Sequence, residues 1–191
     1  FNNKTNGVTP RRWLANCNPG LRDLMTETIG NSWIRDLSEL EKLAPYADDP
    51  KFCERFMDVK HANKQALAAL VKKHTGIEFD PSWMFDVQVK RIHEYKRQLL
   101  NILHVISLYD RIRRGDTANM TPRCVLIGGK AAPGYAMAKL IIKLISNVAH
   151  TIAQDEQVSQ WLKLAFLPNY NVSAMEIICP GTDLSEQIST A

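Results

Sequence analysis

The sequence predicts an α/β fold, a parallel sheet with flanking helices, preceded by a helical segment. Three observations predict it. After residue 76, strand and helix patterns alternate three times, the order that builds a parallel sheet through crossover connections. The strand patterns are largely apolar and β-branched, as a sheet covered on both faces requires. Each strand pattern also runs into polar or glycine-rich residues at its carboxyl end, the edge at which such sheets bind ligands.

Each element has its own signal. Residues 1–17 mix turn formers with one tryptophan and read as a loop entering a helix around Pro10 to Cys17. Asn18-Pro19 is a helix start, with Asn as N-cap and Pro at the first helical position, and Gly30 is its stop. Asp36 with Glu39 predicts a capping box for a short helix ending before Pro45. Asp49-Pro50 opens a third helix that carries Phe52, Phe56, Val59, Leu67 and Leu70 to Gly76. Met84–Val89 reads as the first strand, Gln98–Arg114 as a helix closed by Gly115, and Arg123–Ile127 as the second strand closed by Gly128-Gly129. Tyr135 to about Gln154 is a long apolar helix and Trp161–Leu167 the third strand. Ser173 with Glu176 predicts a second capping box, on a helix that ends before Pro180. Residues 1–76 thus form a mainly helical lead-in, and 77–191 an incomplete α/β domain.

Composition narrows the function classes. The 191 residues are 45% hydrophobic and 23% charged, with nine Gly and nine Pro, which argues against disordered and fibrous classes. The sequence contains no run of 18 apolar residues, so no membrane span is expected. Cys17, Cys53, Cys124 and Cys179 are too scattered for a disulfide framework or a zinc motif, and suit a reducing cytosol. No metal site is expected. Phe1 is not an initiator Met and no clear element closes the sequence at Ala191, so it reads as a fragment.

The net charge of +4 is unevenly distributed. Residues 1–14 and residues 90–97 each carry +3, and the remainder carries −2. A nucleic-acid coat would spread along a face; two short basic segments read better as one anion site. In Lys90–Gln98 (KRIHEYKRQ), Arg91 has the fork that grips a phosphate, and the lysines supply point charges. His93 and Tyr95 have groups that donate to a substrate. A solvated helix start accounts for the same residues equally well. GGKAAPG at 128–134 lacks the spacing of a nucleotide phosphate loop and reads as a tight turn. Trp13 and Tyr170 suit ring stacking or core packing, and Asn6 suits a turn.

Five segments in order carry a resemblance: TNGVTPRRW at 5–13, FDVQVKRIHEYKRQ at 85–98, PRCVLIGGKAAPGY at 122–135, LPNYNVS at 167–173 and DLSEQISTA at 183–191. Together they closely resemble the glycogen and starch (α-glucan) phosphorylases. The resemblance implies part of the Rossmann-like C-terminal domain of a two-domain GT-B architecture, in a cytoplasmic homodimer (or a plastid enzyme, if the parent is from a plant). The implied reaction is cleavage of a terminal α-1,4-glucosidic bond by inorganic phosphate, giving glucose 1-phosphate. Pyridoxal phosphate is the implied cofactor, acting through its phosphate group, with its Schiff-base lysine beyond residue 191. Carried over by position, Arg91 resembles the substrate-phosphate ligand and Lys96 the cation beside the cofactor phosphate. Lys90, Trp13 and Tyr170 match residues lining the cofactor pocket. Asn6 matches a donor to the glucose 6-hydroxyl, Tyr95 one near the 2-hydroxyl, and Tyr135 an aromatic at the pocket mouth. His93, Gly128 and Gly129 match architectural positions. Asn171 stands where many members carry a basic residue, and Met175–Thr182 differs from the usual AEKxIPAA. Two other readings of the same segments are a non-catalytic anion- or nucleic-acid-binding module and a nucleotide-sugar glucosyltransferase of similar fold.

Overall fold

The computed structural model describes residues 2 and 9–190. Arg12–Asn16 forms a wide π-helical turn where the sequence predicts the first helix. Helix α1 (Pro19–Ile29) starts as expected: the Asn18 side chain accepts a hydrogen bond from the Leu21 N–H at 3.3 Å, and Gly30, at φ +82°, ends it. A 3-10 segment at Leu37–Asp48 replaces the short helix predicted before Pro45. It runs through the proline because the fixed φ of proline suits 3-10 backbone. Asp36 caps it by accepting from the Ser38 N–H and hydroxyl, but the predicted box does not close. Glu39 turns instead to the Ser32 hydroxyl and the Lys42 ammonium. Helix α2 (Pro50–Thr75) has Asp49 as its cap and stops at Gly76 in the left-handed region.

Four parallel strands follow: β1 (Met84–Val89), β2 (Arg123–Gly129), β3 (Leu162–Pro168) and β4 (Leu184–Ser185), in the spatial order β3-β2-β1-β4. Strand β4 has no signal in the sequence because two residues cannot show a period. It is placed by Asp183, which accepts from the Phe85 N–H at 2.8 Å and donates its own N–H to the Phe85 carbonyl at 3.0 Å. The Lys64 ammonium, 2.7 Å from the Asp183 carboxylate and 4.8 Å from the Phe85 ring centroid, ties that corner to α2.

Helices cover both faces of the sheet. On one, α3 (Gln98–Arg113) and α4 (Ala136–Gln154) bury Ile102, Val105, Ile141 and Ile145 with Val125, Ile127 and Leu164. On the other, α2 and α5 (Val172–Gly181) bury Leu67, Val71 and Ile178 with Phe85, Val87, Leu126 and Ala165. Helix α2, part of the lead-in by sequence, is therefore also a layer of the sheet. By length and composition α4 is apolar enough to cross a membrane, contrary to the reading of the sequence. Here its stripe Ala138, Ile141, Ile145, Ala149 and Ile152 lies buried in the core.

Two further expectations need correction. Gly128 and Gly129 continue β2, opposite Leu167 and Pro168, and do not form the turn after it. A Cβ on Gly129 would stand 2.4 Å from the Lys90 carbonyl oxygen, so the backbones touch where only glycine fits. Helix α5 is capped by Asn171, whose side chain accepts from the Ala174 N–H at 3.0 Å, and not by a Ser173–Glu176 box. Glu176 faces Arg12 at 2.5 Å. The helix also passes through Pro180: the Lys60 ammonium takes the Pro180 and Thr182 carbonyls, and Gly181 lets the last turn press on Leu67 and Asn63 of α2.

Candidate anion-binding site

The site forms where β1 ends. Beyond Val89 the chain keeps pairing with the extension of β2: the Lys90 N–H donates to the Gly128 carbonyl and the Ile92 N–H to that of Lys130, both at 3.0 Å. Ile92 is buried in the α3/α4 core, which leaves Arg91 exposed and facing away from it. Glu94–Lys96 makes one 3-10 turn, Arg97 takes φ +58°, and α3 begins at Gln98 with no side-chain cap. The anion would thus meet a loop before a helix start, as the sequence suggests, with a left-handed residue between them.

Three buried amides hold this loop, and none was singled out from the sequence. Gln98 donates through Nε2 to the Arg91 carbonyl at 3.1 Å and accepts through Oε1 from the His93 N–H at 3.3 Å. Gln88 donates through Nε2 to the Lys96 carbonyl at 3.0 Å, and its Oε1 accepts from Asn101 Nδ2 at 3.0 Å. In sequence, Gln88 alternates with Val87 and Val89 like a residue on a solvated face. Only the α3 layer above it reveals that it is buried.

Residues after β4 clamp the loop from the other side. Lys90 donates to Gln187 Oε1 at 2.9 Å, Arg97 Nε donates to the Ile188 carbonyl, and the Tyr95 carbonyl accepts from the Thr190 N–H at 2.9 Å. The His93 ring lies 5.2 Å from that of Tyr95 and 5.3 Å from that of Tyr135. The Tyr135 hydroxyl donates to the Glu94 carboxylate at 2.7 Å and accepts from the Glu94 N–H at 3.2 Å. The one acid of the segment is thereby engaged.

Electrostatics follow from this arrangement. Among the described residues, none of Lys90, Arg91 and Lys96 is within ion-pair distance of a carboxylate. Partial burial first, and then repulsion from Lys96, push the Lys90 ammonium below its ordinary pKa, with Glu186 opposing. Two close cations disfavour each other, and a bound anion relieves that cost. Beneath the loop, Asp86 is 1% exposed and 3.3 Å from Arg123. Burial, and then the nearby Glu186 charge, raise its carboxyl to about 6 against the opposing pull of Arg123.

The sequence-predicted site residues fall into groups. Lys90, Arg91, Tyr95 and Lys96 share one loop, and Tyr135 is bonded to it. Trp13 and Tyr170 lie on the α2/α5 side. Trp13 lines a cleft with Leu21, Phe56, Val59 and Cys179, beneath the Arg12 guanidinium, while Tyr170 packs against the second core cluster. The Arg12–Glu176 pair joins their two segments. Asn6 lies outside the described residues. Among the described residues no cluster of His, Cys, Asp or Glu is arranged to hold a metal ion.

A family model described as carbohydrate phosphorylase matches residues 1–191. The chain is 56% identical over all 191 residues to the liver form of glycogen phosphorylase from Ovis aries, covering 22% of that protein. It is 54% identical to the liver form from Homo sapiens and 53% identical to the muscle form from Oryctolagus cuniculus, in each case over the whole chain and 23% of the relative. The chain thus spans less than a quarter of the length of these relatives.

Proposed function

Because this chain belongs to the carbohydrate phosphorylase family, we propose that it is the phosphate-binding part of an α-glucan phosphorylase. The parent enzyme cleaves a terminal α-1,4-glucosidic bond with inorganic phosphate and releases glucose 1-phosphate. The observation that carries this reading is the cation set Lys90, Arg91 and Lys96 at the carboxyl end of β1, without a carboxylate partner among the described residues and with Lys90 and Lys96 repelling one another. Such a site gains most from an anion carrying more than one charge.

Arg91 takes the substrate phosphate, its guanidinium presenting two parallel N–H donors to two oxygens. Lys96 supplies a point charge toward the cofactor phosphate, and Lys90, Trp13 and Tyr170 line the cofactor pocket. Pyridoxal phosphate fits this donor set, since its phosphate answers ammonium groups that have no carboxylate partner among the described residues; when bound, it supplies a group that passes a proton to and from the substrate phosphate. Asn6 and Tyr95 contact glucose hydroxyls, and Tyr135, held by Glu94, closes the mouth. The positive field of the loop lowers the repulsion between two phosphates and stabilises the charge that develops as the glycosidic bond breaks. The parent works in the cytoplasm as a homodimer on glycogen or a related α-1,4-glucan.

The test is made on the full-length parent with pyridoxal phosphate, glucan and phosphate. Release of glucose 1-phosphate is the expected result. No phosphorolysis, or turnover only with a sugar nucleotide, overturns the reading. Arg91→Ala should lower kcat/KM for phosphate by about 100-fold or more, the usual cost of losing a charge-assisted contact in the transition state. An unchanged rate would remove Arg91 from the site.

A further inference from the structure

Two buried glutamines hold the two ends of the cation loop, and neither belongs to the site proposed above. Gln98 and Gln88 are each 0% exposed, a rare state for an amide, tolerated only when its hydrogen bonds are made. Gln98 reaches back from the first turn of α3 and spans residues 91 to 93, binding the carbonyl of Arg91 and the N–H of His93. Gln88 reaches forward from β1 to the carbonyl of Lys96, and is itself held by Asn101, which is 3% exposed. The backbone at Arg91 is thus fixed from the helix, and the backbone at Lys96 from the strand. Among the described residues Arg91 and Lys96 have no charged partner to hold their side chains, so these backbone anchors set where the charges originate.

We propose that Gln98 and Gln88 are positioning residues for anion binding: they fix the separation of Arg91 from Lys96 and so set the affinity of the site for phosphate. This rests on the functional reading above. Gln98 touches only the backbone of the loop, and it acts through Arg91. A shift of about 1 Å in a binding group costs up to roughly 100-fold, and loss of one anchor frees three loop residues to move by that much.

The experiment uses the full-length parent with bound cofactor. Gln98→Met keeps the length of the side chain and removes both hydrogen bonds; Gln98→Glu keeps the acceptor for His93 and removes the donor to Arg91. Inorganic phosphate affinity is measured by calorimetry, and KM for phosphate and for glucan by phosphorolysis. Both variants should weaken phosphate binding and raise its KM about tenfold or more, with KM for glucan within about twofold. Gln88→Met should act in the same direction. Ile102→Val, a buried change elsewhere on α3, should lower the melting temperature without moving the phosphate terms. Phosphate affinity within about twofold of wild type in either folded Gln98 variant overturns the proposal, as does an equal rise in both KM values. If Gln98→Met does not fold, Gln98→Glu decides. A parent that binds phosphate without phosphorolysis refutes the functional reading alone, and the calorimetric values still judge Gln98. A parent that binds no phosphate refutes both.

Discussion

Asp86 is a carboxylate in the middle of a buried strand, and one side-chain oxygen, Oδ1, has no partner among the described residues. Its folded-state value of about 6 lies above the ordinary 3.8. The folded chain therefore holds a proton that the unfolded chain releases, and stability falls as pH rises from about 4 through 6. The cost, fully present above pH 6 and absent below the ordinary value, is on the order of 3 kcal/mol. Asp86→Asn carries no such dependence. Unfolding free energies of the two proteins between pH 4 and 7.5 should show the gap shifting toward the variant by about 2.4 kcal/mol as pH rises, whatever constant offset the loss of the Arg123 partner adds. A constant gap would mean that Asp86 titrates normally. At this scale the sequence was legible for charge and mute on burial. Lys90, Arg91 and Lys96 declare themselves as letters, whereas Asp86, Gln88 and Gln98 look like solvated residues until helices are laid over them.

At the scale of elements, the signals that depend on local chemistry were readable, and those that depend on neighbours were not. Asn18-Pro19, Asp49-Pro50, Gly30 and Gly76 mark helix ends where the structure has them, because caps act within one turn. The Ser173–Glu176 pair misled because Glu176 is claimed by Arg12, more than 160 positions away. Pro180 misled because it falls in the last turn of α5, where only one further helical residue follows and Lys60, from α2, takes the end carbonyls of Pro180 and Thr182. Gly128-Gly129 misled in the same way, as the requirement for glycine comes from the crossing loop and not from a turn. This last point predicts a contrast. Gly129→Ala meets backbone at 2.4 Å and the Ile92 side chain at 2.7 Å, while a methyl on Gly134 meets nothing within 4 Å. Gly129→Ala should cost about 3 kcal/mol or more, with displacement of the cation loop, and Gly134→Ala less than about 0.5 kcal/mol. Thermal unfolding of the two variants checks it; equal effects would mean that the loop yields freely.

For the molecule as a whole, the parallel α/β order was legible because it rests on the alternation of periods, which survives local errors. The distribution of apolar surface was not. Leu99, Leu100, Leu103 and Ile106 on α3, with Met137 and Leu140 on α4, stay 36–59% exposed. Exposed apolar side chains clustered along helices in this way favour association in water. The 191-residue chain alone should therefore self-associate and bind a hydrophobic dye, and the pair Leu100→Glu with Leu103→Glu should shift it toward monomer in sedimentation. An equally associated variant would locate the sticky surface elsewhere. The same molecule concentrates its basic charge in two short segments, residues 1–14 and the cation loop, over a slightly acidic remainder, so the field that attracts an anion is local and not a property of the whole surface.

The clasp between Lys60 and the Thr182 carbonyl spans 122 positions of chain, and it has a consequence in time. A ribosome adds roughly 5–20 residues per second, so about 6–24 s pass between the appearance of the lysine and that of its partner. Strand β4, and the residues after it that grip Lys90, Tyr95 and Arg97, arrive in that same late interval. Until then the cation loop is exposed without its outer clamp, and a growing chain meets cellular anions before it has the geometry to choose among them.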